Sequence, residues 1–162
     1  MASAQDHSPR LLLAITAVVC AAGGGVWWLL QTPEDHVRSA IQAGASAASR
    51  RDTPGVMDVV DDAFRGPRGV NFKTASDAVR YALEAHYLGG VEVEVSPEDF
   101  PVQCSHQDKR AVARFKVKAR GRPQRDGAWQ DILEAWKLGD VWEVTLSQRD
   151  GHWRITSLQT VP

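Results

Sequence analysis

The spacing of apolar side chains changes rhythm along the chain, and each rhythm predicts a different element. From Leu11 to Leu30 no position is charged: LLLAITAVVCAAGGGVWWLL. Twenty residues at about 1.5 Å each make a helix of about 30 Å, the thickness of a bilayer's hydrocarbon core. Arg10 bounds the run on one side and Gln31-Thr32-Pro33-Glu34-Asp35 on the other, with Trp27 and Trp28 near the far end. Tryptophan favours the lipid–water interface. A cleaved signal peptide is the competing reading, with Leu11 to Val19 as its apolar core and Val19-Cys20-Ala21 as the processing site. The run continues past that site through Val26-Trp27-Trp28-Leu29-Leu30, and Val18-Val19 before Cys20 makes a poor lipoprotein box. A retained single-span anchor is therefore expected, despite Gly23-Gly24-Gly25, because lipid penalises unpaired backbone so heavily.

Beyond the anchor the period is helical. Thr32 and Pro33 form a cap-then-proline start, with Glu34 and Asp35 in the electropositive first turn. Val37, Ala40, Ile41, Gly44, Ala45 and Ala48 fall on one small-residue face, which predicts a helix ending near Arg50-Arg51. Asp52-Thr53-Pro54 repeats the start signal, and Val56, Met57, Val59, Val60 and Phe64 predict a second helix stopped by Gly66-Pro67. Ala78, Val79, Ala82, Leu83, His86 and Tyr87 predict a third, from near Thr74 to Gly89-Gly90.

The period then drops to two. Val91-Glu92-Val93-Glu94-Val95 alternates, and Phe100 to Cys104 is a weaker strand pattern. Ala111, Ala113, Phe115, Val117 and Ala119 face one way, opposite Arg114, Lys116, Lys118 and Arg120. Trp142, Val144 and Leu146 share the inner face of a further strand over Val141 to Ser147. Asp150-Gly151 is a hairpin turn before Trp153 and Ile155. Between the strands, Trp129, Ile132, Leu133 and Trp136 stand at i, i+3, i+4 and i+7, an amphipathic stripe of about two helical turns. Helices followed by strands predict an α+β domain over 33–162, after a tail over 1–10 and the anchor over 11–30.

Composition narrows the function classes. The 162 residues are 43 % hydrophobic and 24 % charged, with 19 basic and 20 acidic side chains for a net charge of −1. No global field recruits nucleic acid, and the basic strand face lacks interleaved exposed aromatics, so a nucleic-acid partner is not expected. Mean hydropathy of −0.30 averages an apolar anchor with a polar domain. Cys20 lies in the anchor and Cys104 in the domain, so no disulfide framework exists.

The ending VWEVTLSQRDGHWRITSLQTV, in which an acidic residue and Gly precede Trp-Arg-Ile, resembles the last hairpin of the nuclear transport factor 2-like (cystatin-like) superfamily. The opening VRSAIQAGASAASRRDTPGVMDVVDDAFRG resembles the paired N-terminal helices of its small bacterial members, many of which carry an N-terminal anchor. The resemblance spans about Glu34 to Val161. It implies a bent antiparallel sheet wrapped around helices as a cone, often with a pocket at the wide end. Superfamily enzymes such as isomerases and dehydratases often place an acidic base there, but many members are non-catalytic. Dimers through the outer sheet face are also frequent; Arg114, Lys116 and Lys118 disfavour one here.

Candidate chemistry is sparse. Asp58, Asp61 and Asp62 have helical spacing, which suits either a carboxylate acid–base pair or a solvated helix face. His86 and Tyr87 at a helix end suit proton transfer, or a core tyrosine beside a half-buried histidine. Cys104-Ser105-His106 lacks the ligand count of a zinc site. The Trp129–Trp136 stripe is read as a plug for the open end of the cone, or as a lid or aromatic partner surface. A pocket or lid is thus assigned to Asp61, His86, Tyr87, Trp129, Ile132, Leu133, Trp136 and Trp153, with no metal and no cofactor. The expected function is a non-catalytic binding or scaffold domain, single-pass in the inner membrane and extracytoplasmic, engaging an envelope protein or a small apolar ligand. The alternative is a small lyase or isomerase using Asp61 or His86.

Overall fold

The longest strand of the sheet organises the domain. The computed structural model describes residues 31–96, 101–105 and 107–161. The expected anchor, Phe100 and His106 lie outside the described residues. Among the described residues no helix is long and apolar enough to cross a membrane.

Helix α1 (Pro33–Ser49) starts at the expected proline, with Glu34 and Asp35 in its first turn, and buries Val37, Ile41 and Ala47. It closes as Arg51 takes a left-handed conformation (φ 57°) and Asp52 N–H donates to Ala47 O at 2.9 Å. Gly44 permits close approach, since a Cβ there would lie 2.9 Å from Val59 Cγ2.

The second predicted helix is corrected. Helix α2 (Thr53–Asp58) is a single capped segment, with Asp52 accepting from Gly55 N–H, and the chain then extends as strand β1 (Val60–Arg65). The β-branched pair Val59-Val60 favours extended backbone, and the ladder partner is available: Ile155 N–H donates to Val59 O at 2.8 Å. The helical spacing of Asp58, Asp61 and Asp62 is therefore not realised.

The third helix also differs from its expected form. Helix α3 (Phe72–Arg80) begins earlier than Thr74, because Asn71 and Thr74 form a reciprocal capping box. It runs on as a π-turn (Tyr81–His86) ending at Tyr87. Ala78, expected on the buried stripe, is exposed, whereas Leu83 and Tyr87 are buried.

Strands β2 (Gly90–Val95) and β3 (Val102–Ser105) lie end to end along one edge of β4 (Arg110–Arg122). On the other edge of β4, β6 (Val141–Arg149) pairs from Arg110 to Lys116, and β5 (Gln130–Asp131) pairs at Arg120 and Gly121. Strand β7 (His152–Val161) completes the hairpin with β6, and Arg149 faces His152 across the predicted turn. Asp150 and Gly151 both have positive φ, 50° and 81°, as a type I′ turn requires. The sheet order is β1-β7-β6-β4-β2. It is curved and mixed rather than wholly antiparallel, because β1 runs parallel to β7.

The alternation of β4 is realised without exception from Ala111 to Arg120. Its inner side chains pack with Val37, Ile41, Leu83, Tyr87, Val91, Ile132, Leu133, Val144, Leu146 and Trp153 into one core.

Candidate functional site: an aromatic cluster beside the core

The π-turn gathers the most concentrated set of candidate side chains. In an α-helix, residues five apart point to different faces; the wider π-turn brings them together. Tyr81 and His86 stack with centroids 5.4 Å apart, and His86 meets the edge of Tyr87 at 4.6 Å. Trp136 joins from the opposite segment, 6.4 Å from His86 and 6.1 Å from Tyr87. The cluster is graded in depth. Tyr87 is 1 % exposed, Trp136 40 % and Tyr81 58 %. Burial, and then the neighbouring Tyr81 phenol, pushes the Tyr87 hydroxyl above its ordinary ionisation range.

The Trp129–Trp136 stripe is corrected in form. Only one helical turn exists, α4 (Ile132–Ala135), entered through β5, with Asp131 accepting from Leu133 N–H at 2.8 Å and Glu134 N–H at 3.0 Å. An N-cap this strong resets the helix start, because Asp131 is extended (φ −70°, ψ 117°) and Trp129 lies outside the turn. Ile132 and Leu133 enter the core, while Trp136 remains at the surface. Trp129 instead lies under Arg122, whose Cζ is 5.1 Å from the ring centroid and whose guanidinium donates to Gly89 O at 2.9 Å.

Asp61 sits elsewhere. It is 1 % exposed; one oxygen accepts from Ala63 N–H at 2.8 Å. The other lies 3.2 Å from Arg149 Nε as an ion pair without hydrogen-bond alignment. Asp61 and His86 share no bonding partner among these contacts. Trp153 lies in the core, its indole N–H buried without an acceptor. Cys104 is half-buried, and burial with the adjacent Glu34 carboxylate pushes its thiol up to about 11. No group of three or more potential metal ligands exists among the described residues. A recess of about 500 Å³ lies between α1 and β2 and is lined by Ser46, Ser49, Val93 and Glu94 among others.

No family model and no curated protein matches the sequence. Solved structures do match. A candidate scytalone dehydratase from Novosphingobium aromaticivorans aligns with a TM-score of 0.61 at 11 % identity, over 78 % of this chain and 82 % of that one. A nuclear transport factor 2-like superfamily protein from Salmonella enterica aligns at 0.61 and 11 %, over 79 % and 89 %. The fold is nuclear transport factor 2-like. A candidate aromatic ring hydroxylase from N. aromaticivorans has the same fold, at 0.62 and 14 % identity over 82 % and 93 %.

Within the nuclear transport factor 2-like fold, the structure unites His86, Tyr87 and Trp136, seats Ile132, Leu133 and Trp153 in the core, and leaves Asp61 and Trp129 with separate partners. Sequence reasoning missed Tyr81, which no α-helical periodicity places beside His86. It also missed Arg149 as the partner of Asp61, since a long-range ion pair leaves no local pattern.

Proposed function

We propose that this chain is a membrane-tethered, extracytoplasmic binding domain whose partner contacts the surface formed by Tyr81, His86 and Trp136. The carrying observation is that these rings pack on one another at the surface while Tyr87 anchors them to the core. Rigid aromatic side chains lose little entropy on binding and dominate interface energetics. The tether is Leu11 to Leu30, and an envelope protein is the favoured partner over a small apolar ligand.

The likeness to a candidate dehydratase favours the alternative of a small lyase or isomerase. The partners of the two residues it needs weigh against it. Asp61 is engaged by Arg149 and Ala63 N–H, and His86 packs against the rings of Tyr81, Tyr87 and Trp136, contacts that include no carboxylate.

A photo-crosslinking residue at the exposed Leu88, beside the cluster, in intact cells is expected to capture a specific envelope partner. Tyr81→Ala with Trp136→Ala is expected to weaken that capture at least about tenfold, the scale of an interface hot spot. Capture unaffected by the double substitution overturns the assignment of this surface.

A further inference from the structure

The outer face of the sheet carries charge that an opposed acid balances in most rows, but not in those of Lys116 and Arg110. Arg114 pairs with Glu143 at 3.4 Å. Glu94 lies opposite Lys118, and Glu92 and Asp131 lie opposite Arg120 on its two sides. Arg149 pairs with Asp61. Lys116 faces Val141.

One row differs in kind. Arg110 lies directly opposite Ser147, and Ser147 directly opposite Arg154. Directly opposed residues share a face of the sheet, and inward-facing Ala111, Leu146 and Trp153 mark the other face. Arg110 is exposed, while Ser147 and Arg154 are half-buried. Neither arginine has an ion pair among the described residues. The Ser147 hydroxyl and the Arg154 Nε are both buried without a hydrogen-bond partner. The nearest acid in sequence, Asp108, is bonded to Ser105 Oγ at 2.8 Å. The row thus holds two guanidinium donor sets and a hydroxyl donor, and what it lacks is an acceptor with negative charge. Such unsatisfied buried donors are uncommon and costly.

We propose that this row is an oxyanion site, built by Arg110 and Arg154 across Ser147, for a phosphate-type group. Strands about 4.8 Å apart place the two arginines roughly 10 Å apart at their Cα atoms, so both side chains reach one tetrahedral anion from opposite sides. Each guanidinium offers a fork that matches two oxygens of such a group. The terminal guanidinium nitrogens make the contacts, and the buried Arg154 Nε and Ser147 hydroxyl lie behind them, out of reach of solvent. The phosphate comes either free or as the headgroup of an anionic lipid, and the chemistry of recognition is the same. This assignment does not depend on the aromatic surface.

The test uses the full chain in detergent micelles, titrated with inorganic phosphate against chloride at matched ionic strength and followed by backbone amide shifts. The full chain held in phosphatidylglycerol or phosphatidylcholine bicelles, read by the same amide shifts with and without free phosphate as competitor, distinguishes the sources. Saturable shifts centred on Arg110, Ser147 and Arg154 are expected. R110Q and R154Q should each weaken binding about tenfold or more, as loss of a charged hydrogen-bonding partner does. R114Q, whose wild-type charge is already paired, should bind as the unsubstituted chain does. Shifts in phosphatidylglycerol but not phosphatidylcholine bicelles, reversed by free phosphate, assign the headgroup; shifts with phosphate but none between the two lipids assign the free anion. Absence of both overturns the site, and so does equal weakening by R114Q, which marks diffuse attraction. If R154Q does not fold by circular dichroism, R110Q at its exposed position carries the test.

Discussion

Gly121 lies opposite Val91 in the β2–β4 ladder, and a Cβ at that position would run into the Tyr87 ring. The absence of a side chain there lets the one fully buried tyrosine lie against the sheet and hold the aromatic cluster in place. Gly121→Ala forces the ring or the strand to move, and overpacking of this kind costs about 1–3 kcal/mol. A lower urea midpoint with an unchanged m-value is the expected outcome. Cys104 gives a second prediction at this scale. Its thiol ionises at about 11 in the fold against 9.0 without the fold's influence. The unfolded chain therefore forms thiolate first as pH rises. The stability this residue contributes is complete below pH 9 and is lost as pH rises through 11. At pH 8.5 iodoacetamide should modify Cys104 about tenfold or more slowly in the folded chain than in urea, because the thiolate is the nucleophile. Equal rates by peptide mass spectrometry would contradict this.

At the scale of elements, the edge of the sheet is managed by one hydroxyl. Val93 N–H donates to Ser49 Oγ at 2.8 Å, and that hydroxyl also lies 3.2 Å from Val93 O. Ser49, in the last turn of α1, thus accepts from an edge-strand N–H, while its single proton is shared between Val93 O and Ala45 O, the latter at 3.1 Å. Unpaired edges invite strand addition from another chain. Ser49→Ala leaves the Val93 N–H without this acceptor, which is expected to lower stability by about 1–3 kcal/mol and to speed aggregation on heating, read by light scattering. The corrected elements follow the same logic of long-range partners. Val59-Val60 extends because β7 supplies a ladder, and Tyr81 meets His86 only because the helix widens into a π-turn. Neither partner is visible within a local window of sequence, so the periodicity of β4 was legible and the fate of Asp61 was not.

At the scale of the whole molecule, the proposed tether makes a prediction separate from the fold. The full chain should remain in the membrane pellet after alkaline carbonate washing, and deletion of residues 2–30 should release the domain to the supernatant. Release of the full chain by carbonate would remove the anchor from the proposal. The sequence alone determined α1, the alternating strands β2, β4 and β6, the inward face of β4 and the Asp150-Gly151 hairpin. Each is carried by local side-chain alternation or turn chemistry within a few residues. Only the tertiary structure decided that β1 is a strand parallel to β7, that Asp61 is held by Arg149, that Tyr81 and Trp136 close around His86, and that Arg110 and Arg154 flank Ser147. These contacts join residues far apart in the chain, and the free energy that selects them comes from packing and pairing across the fold rather than from local preference.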